Sequence, residues 1–218
     1  MGSISGMIPS RATEESTAQT ASIYQTARAQ GQQFLRETLL RAASEVLAQE
    51  GTAALTMRRV GQKAGCSTMV LYTMFGGKEG LVDALVLEGF QRLGEAITAV
   101  EASSEPRLYA VELCHAYRAT ALAYPTHYAA MFGKAIPDYE PSETTRATGQ
   151  QTMRPLIGAI ESCMAAGIMP PGDAADVATL VWAACHGLVS LELDGYVPGG
   201  ETARRMYDDL VHRLLVRR

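Results

Sequence analysis

Large apolar residues are sparse over residues 1–30, then recur at helical spacing from Phe34. Leu35, Leu39, Ala42, Ala43, Val46 and Leu47 fall three or four positions apart, which lays one apolar stripe along a helix. Gly51 follows Glu50 as a glycine that closes a helix would. Leu55 anchors a short turn, and Thr56 is the expected N-cap of a second helix over 58–64, stopped by Gly65. Ser67 reads as the cap of a third short helix ending at Met74 or Phe75, where Gly76-Gly77 breaks it. Lys78 opens a longer helix in which Leu81, Ala84, Leu85, Val86, Phe90, Leu93 and Ile97 keep the period. Two short helices joined by a glycine-containing turn of ~3–4 residues form the helix-turn-helix pattern.

The remainder is also helical. Pro106 suits the first turn of a helix reaching Tyr124, and Pro125 ends or kinks it. Residues 126–133 read as a short helix, and 134–143, with two prolines, as a loop. A helix over 144–166 is expected to stop at Gly167, before the break at Pro170-Pro171-Gly172. Asp173 caps a long helix over 174–193, and after a turn at 195–200 the last helix covers 201–216. The expectation is an all-α chain of about nine helices: a flexible tail over 1–30 with room for a helix near its end, a three-helix head over 31–81 and a larger helical body over 82–218.

Composition narrows the function. Hydrophobic residues make up 47% of the 218, enough for a real core, and Ala, Leu, Val and Met dominate them. No apolar run reaches ~18 residues and no signal peptide is visible, so a cytoplasmic protein with no membrane partner is expected. The net charge is −4, but its distribution is uneven. Residues 28–81 carry 7 basic and 4 acidic side chains (+3), and residues 82–218 carry 11 and 17 (−6). A mildly basic head on an acidic body suits a DNA binder.

Cys66, Cys114, Cys163 and Cys185 are scattered without CxxC spacing and read as small buried residues. Cys114-His115 and Cys185-His186 are adjacent pairs, whose side chains point ~100° apart on a helix, so neither is a nucleophile–base pair. There is no Gly-x-Ser-x-Gly, P-loop or dinucleotide fingerprint. No catalysis, cofactor or metal site is assigned. A metal- or thiol-responsive protein stays open, because His115, His127 and His186 could converge in space.

A helix-turn-helix sets its second helix in the major groove. With Leu71 and Phe75 facing the core, Thr68, Met69, Thr73 and Met74 face outward. Threonine hydroxyls reach base edges, and Thr and Met can touch a thymine methyl. Thr56, Ser67 and Tyr72 offer hydroxyls to phosphates, and Arg58, Arg59 and Lys78 offer charge. The ordered string Gln49-Glu50-Gly51, Thr56, Ala64-Gly65-Cys66-Ser67, Leu71-Tyr72, Phe75 and Lys78-Glu79-Gly80-Leu81 resembles the N-terminal domain of the TetR (tetracycline-repressor) family. That resemblance implies a homodimeric transcriptional regulator of a double-stranded DNA operator, most often a repressor released by a small-molecule effector. It makes Thr56, Tyr72 and Lys78 phosphate contacts, and Thr68, Met69 and Thr73 base readers. Met69-Val70 and Met74 depart from the small, hydroxylated or ring side chains common there, which leaves the operator sequence open. A ligand-independent regulator remains the other alternative.

Toward the C-terminus, Trp182-Ala-Ala-Cys-His186-Gly187 resembles the Trp…His-Gly (WHG) subclass of TetR C-terminal domains. Trp182 and His186, four residues apart, share a helix face. With His115, Tyr128, Met131, Phe132 and Met153 they are the ligand-binding candidates, and Tyr117, Tyr124, His127 and Met164 are further ones. The last two helices resemble the family's dimerisation pair. Leu180, Val181, Ala184, Leu188 and Leu191 form one apolar stripe, and Met206, Leu210 and Leu214 another. Which of these face the core and which a partner is left undivided.

Overall fold

The computed structural model describes residues 11–133 and 139–215, with side chains from Tyr24 onward. These residues form ten α-helices and one 3-10 turn, with no strand. Helix α1 (Arg11–Glu50) starts well before the apolar period does, so the helix allowed for at the end of the tail extends back to residue 11. Residues 1–10 of that expected tail lie outside the described chain. Tyr24 to Leu35 are all exposed and the first buried side chain is Leu39, which is where packing against the rest of the chain begins.

A 3-10 turn (Thr52–Ala54) leads to α2 (Met57–Ala64), α3 (Thr68–Phe75) and α4 (Lys78–Thr98). The caps explain these boundaries. The Thr56 hydroxyl accepts the Arg59 N–H at 3.2 Å, and Gly65 ends α2 at φ 70°. Ser67 holds the N-cap position of α3, but its hydroxyl makes no capping bond. Gly61 is where α2 lies closest to the turn: a Cβ there would sit 3.0 Å from the Cys66 carbonyl oxygen.

Then follow α5 (Pro106–Ala123), α6 (Pro125–Phe132), α7 (Glu143–Gln151), α8 (Arg154–Ala165), α9 (Ala174–Leu193) and α10 (Glu201–Leu215). The single helix expected over 144–166 is two. Pro155 has no N–H for the ladder and sits instead in the first turn of α8. A short turn at Thr152 and Met153 bridges α7 and α8, both N–H groups donating to carbonyls at 3.2 Å. Of the loop expected over 134–143, residues 134–138 lie outside the described chain.

Two apolar clusters result. Leu39, Val46, Leu55, Val60, Leu71 and Leu81 centre the first, and Leu113, Ile160, Val189, Tyr207 and Leu215 the second. Each fully buried aliphatic side chain contributes about 1.5–3 kcal/mol. Helix α4 belongs to both: Leu81, Val82, Leu85 and Val86 enter the first cluster, Leu93 and Ile97 the second. Helix α6 also bridges, with Ala130 in the first and Tyr128 in the second.

Helix α9 has no unbroken apolar run, yet by length and mean composition alone it is long and apolar enough to cross a membrane. It packs instead within the second cluster, through Ala178, Val181, Cys185 and Val189.

Helices α5 and α9 are also joined by an ion pair. Arg118 donates from Nε and Nη2 to the Glu192 carboxylate at 2.9 and 2.7 Å, with both side chains largely buried. Its guanidinium lies 5.6 Å from the centre of the Tyr207 ring, and the Tyr207 hydroxyl donates to the Cys114 carbonyl at 2.7 Å. Removing one partner of a buried pair strands the other charge. Arg118→Met is therefore expected to cost about 3–5 kcal/mol, with Glu192→Gln in the same chain restoring part of it. Urea unfolding at fixed chain concentration measures both.

Candidate DNA-reading head and ligand cavity

Helix α3 is buried on one side and bare on the other. Leu71 and Phe75 are in the core, while Thr68, Met69, Tyr72 and Thr73 are exposed, Met69 at 71% and Tyr72 at 51%. Met74, expected to face outward, packs partly against the core. Around this face the cations differ in availability. Arg59 grips Glu50 of α1 with three hydrogen bonds of 2.7–3.0 Å, and Lys63 pairs with Glu45 at 2.9 Å. That contact holds the Glu50 carboxyl below its ordinary pKa and raises that of Arg59. Arg58 and Lys78 are exposed and enter no salt bridge among the described residues. Of the two arginines on α2, Arg59 therefore braces α1, and Arg58 has no ion-pair partner among the described residues. Ser67 keeps its hydroxyl uncommitted, whereas Thr73 spends its proton on the Met69 carbonyl at 2.9 Å.

At the other end of α4 lies a cavity of about 320 Å³. Met131, Phe132, Met153 and Trp182 line it, as the sequence suggested, and so does Tyr117. Phe90, Leu93, Leu113, Cys114, Cys185, Arg146 and Gln150 line it too and were not singled out as pocket residues; nothing in the local sequence marks them, because four helices bring them together.

His186 and Tyr128 sit behind the wall. The Tyr128 hydroxyl lies 2.7 Å from His186 Nδ1 and the Tyr117 hydroxyl 3.1 Å. Tyr117 donates to the Tyr128 hydroxyl at 3.3 Å, and both hydroxyls share a hydrogen bond with Nδ1. The His186 ring meets Phe132 at 4.9 Å and Trp182 at 5.6 Å between centroids. His115 lies elsewhere, 3.7 Å from Asp208, and His127 lies 3.4 Å from Glu88, so the three histidines do not converge. No three His, Cys, Asp or Glu side chains gather as metal ligands among the described residues. Met164 packs against the second core, and Tyr124 lies under the Arg92 guanidinium at 4.6 Å.

Head and cavity are tied through Asp83 of α4. Its carboxylate accepts from the Tyr139 hydroxyl at 2.8 Å, the Ser142 N–H and hydroxyl at 2.9 and 2.8 Å, and the Thr145 hydroxyl at 3.0 Å. Burial pushes the Asp83 pKa up, but these donors outweigh it and hold it below the ordinary carboxylate range. Helix α7, which carries Arg146 and Gln150 of the cavity wall, is thereby pinned to α4 only five residues after Lys78.

A half-exposed reading helix at one end of a shared helix and an apolar cavity at the other define an all-helical DNA-binding regulator. Residues 39–85 match the bacterial regulatory proteins of the tetR family, and residues 110–215 match the tetracyclin repressor-like C-terminal domain. The chain belongs to the TetR family. It is 34% identical over 73 residues to the HTH-type transcriptional regulator BetI of Rhizobium meliloti (strain 1021), a match spanning 33% of this chain and 36% of that protein. A protein of unknown function from Rhodococcus sp. RHA1 superposes with TM-score 0.70 at 30% identity, covering 84% of this chain and 96% of that one. AibR, solved with isovaleryl coenzyme A and operator DNA, shares the fold with TM-score 0.67 at 17% identity, covering 83% and 97%.

Burial lowers the His186 pKa from its ordinary value. The unfolded chain thus binds a proton first, and the stability His186 contributes is complete above its unfolded pKa of about 6.5. It is lost as pH falls through the lower folded value. Urea midpoints should therefore drop between pH 7 and 5, and His186→Gln should flatten that part of the profile.

Proposed function

We propose that the protein is a homodimeric repressor that binds an operator through α3 and is released when a small molecule fills the cavity. The exposed face of α3 carries this reading, because Met69 and Tyr72 are too open to serve the core and have no side-chain partner among the described residues. Thr68, Met69 and Thr73 meet base edges, with Met69 against a thymine methyl. Thr73, its proton already committed, accepts from the amino group of adenine or cytosine in this rotamer. Thr56, Arg58, Ser67, Tyr72 and Lys78 ring that face and hold phosphates.

The dimer rests on α9 and α10. Val181, Cys185 and Val189 of α9 and Tyr207 and Val211 of α10 are used up in the chain's own core. Leu180 (68% exposed), Leu191 and Met206 are left outward, with Ala184 and Leu188 between the two leucines on the same face of α9. Two copies burying that face form a four-helix bundle across a two-fold axis and present two reading helices to two half-sites.

The effector cavity comprises Met131, Phe132, Met153 and Trp182, with His186 and Tyr128 behind them; His115 is not part of it. Ligand binding shifts the dimer by as much as its differential affinity for the two states allows. Helix α4, pinned to α7 at Asp83, carries that shift to the head. AibR, seen with both an acyl thioester and operator DNA, supports the pairing of the two sites. The protein works in the cytoplasm, where the DNA is, and performs no chemistry on its ligand.

A gel-shift titration against the DNA upstream of its own gene, at 50 and 200 mM salt, tests the head. Selective binding that weakens with salt is expected. Lys78→Ala should weaken all sequences alike and reduce the salt slope by about 1. Thr73→Val should relax the preference at one base pair by about 1–3 kcal/mol. A Lys78 variant that changed sequence preference instead would rule out its phosphate role.

A further inference from the structure

The cavity is apolar almost throughout, and the exception is confined to one helix. Among the described residues, Arg146 is the only lining residue with an ionised side chain at neutral pH, and no carboxylate lines the wall. Its guanidinium makes one bond, from Nη2 to the Pro141 carbonyl at 3.2 Å, and enters no salt bridge among the described residues. Four of its five N–H donors are therefore unspent. Gln150, one turn along α7, lines the same cavity and adds an amide donor.

The other hydroxyls on the wall face inward to the protein. Thr152 donates to the Gly149 carbonyl at 2.7 Å, and Tyr117 is engaged with Tyr128 and His186. Among the described residues the cavity's one cation and its one side-chain amide thus both lie on α7. Across the cavity Leu113, Met131 and Phe132 offer apolar surface alone, and Trp182 adds its ring, with the indole N–H directed to Tyr117. Arg146 is itself exposed, so it stands at the mouth of the cavity rather than at its floor.

We propose that the effector is an amphipathic monoanion: an apolar body in the cavity and a single carboxylate at its mouth, held by Arg146 with Gln150 beside it. This rests on the reading of the cavity as the effector site. The planar fork of an arginine matches a carboxylate in two parallel bonds. A cationic head would meet Arg146 with like charge, and a purely apolar ligand would leave its donors with water alone. The volume, at the lower end of small-molecule pockets, favours a short chain or a single ring system over a large cofactor. A head bound on α7 also sits on the helix that Asp83 fastens to α4, so the anion acts on the same strut that leads to the reading head.

Trp182 is the only tryptophan and lines the cavity, so its fluorescence reports occupancy directly. The test titrates the full-length protein with decanoate, decanol and decylamine. Decanoate should bind at least ten-fold more tightly than decanol, and decylamine most weakly. Arg146→Gln should bring decanoate to within about two-fold of decanol while decanol affinity and melting temperature stay unchanged. Arg146→Lys should keep part of the preference. Equal binding of decanoate and decanol to the wild type, tighter binding of decylamine, or a preference that survives Arg146→Gln would overturn the anionic class while leaving the cavity a ligand site. No fluorescence response to any of the three would remove the cavity as an effector site and the proposal with it.

Discussion

Helix α4 is a member of two hydrophobic cores at once, and the arrangement of the molecule follows from that. Its first half buries Leu81, Val82, Leu85 and Val86 in the cluster it shares with α1 and α3, and its second half buries Leu93 and Ile97 in that of the body. A helix of 21 residues runs about 30 Å at 1.5 Å per residue, long enough to put a reading surface and a cavity at opposite ends of one rigid element. Neither cluster can shift its packing on α4 without the other feeling it, because packed cores resist continuous deformation. Helix α6, with Ala130 in one cluster and Tyr128 in the other, makes a second and shorter bridge.

Polar groups reinforce this plan by being spent where position matters and left open where a partner is due. Glu50–Arg59 and Glu45–Lys63 fasten α1 to α2, which engages two of the cations around α3 and leaves Arg58 and Lys78 out of any salt bridge among the described residues. Asp83 draws four donors from the segment leading into α7. Arg118–Glu192 and the Tyr117–Tyr128–His186 cluster fix α5, α6 and α9 around the cavity. Against that background Arg146, Gln150 and the outer face of α3 stand out as groups with unused capacity.

Much of the head was legible in the sequence because its signals are local. Thr56, Gly65, Gly76 and the Leu71/Phe75 pair each act within one or two turns of helix, and the boundaries they imply are those found. How early α1 starts was not legible, since residues 11–33 lack the apolar period that marks a packed helix. The break at Pro155 was read through because a proline at a helix start and one inside a helix look alike until the preceding turn is seen. Met69 as an exposed residue followed from the period, whereas the partial burial of Met74 depends on how closely α3 lies against its neighbours.

By itself the sequence determined an all-helical chain, the position of the reading helix and the family, because capping, periodicity and the ordered N-terminal motif are written in neighbouring residues. Tertiary structure alone decided which apolar stripe of α9 is core and which is surface, since Val181 and Leu180 are equally apolar and differ only in what lies opposite them. It also decided the cavity. Met131, Phe132, Met153 and Trp182 reach it beside Phe90, Cys114 and Arg146, and His115, chemically as suitable as any of them, is turned away toward Asp208. A pocket is a relation between helices distant in the chain, and no local spacing encodes it.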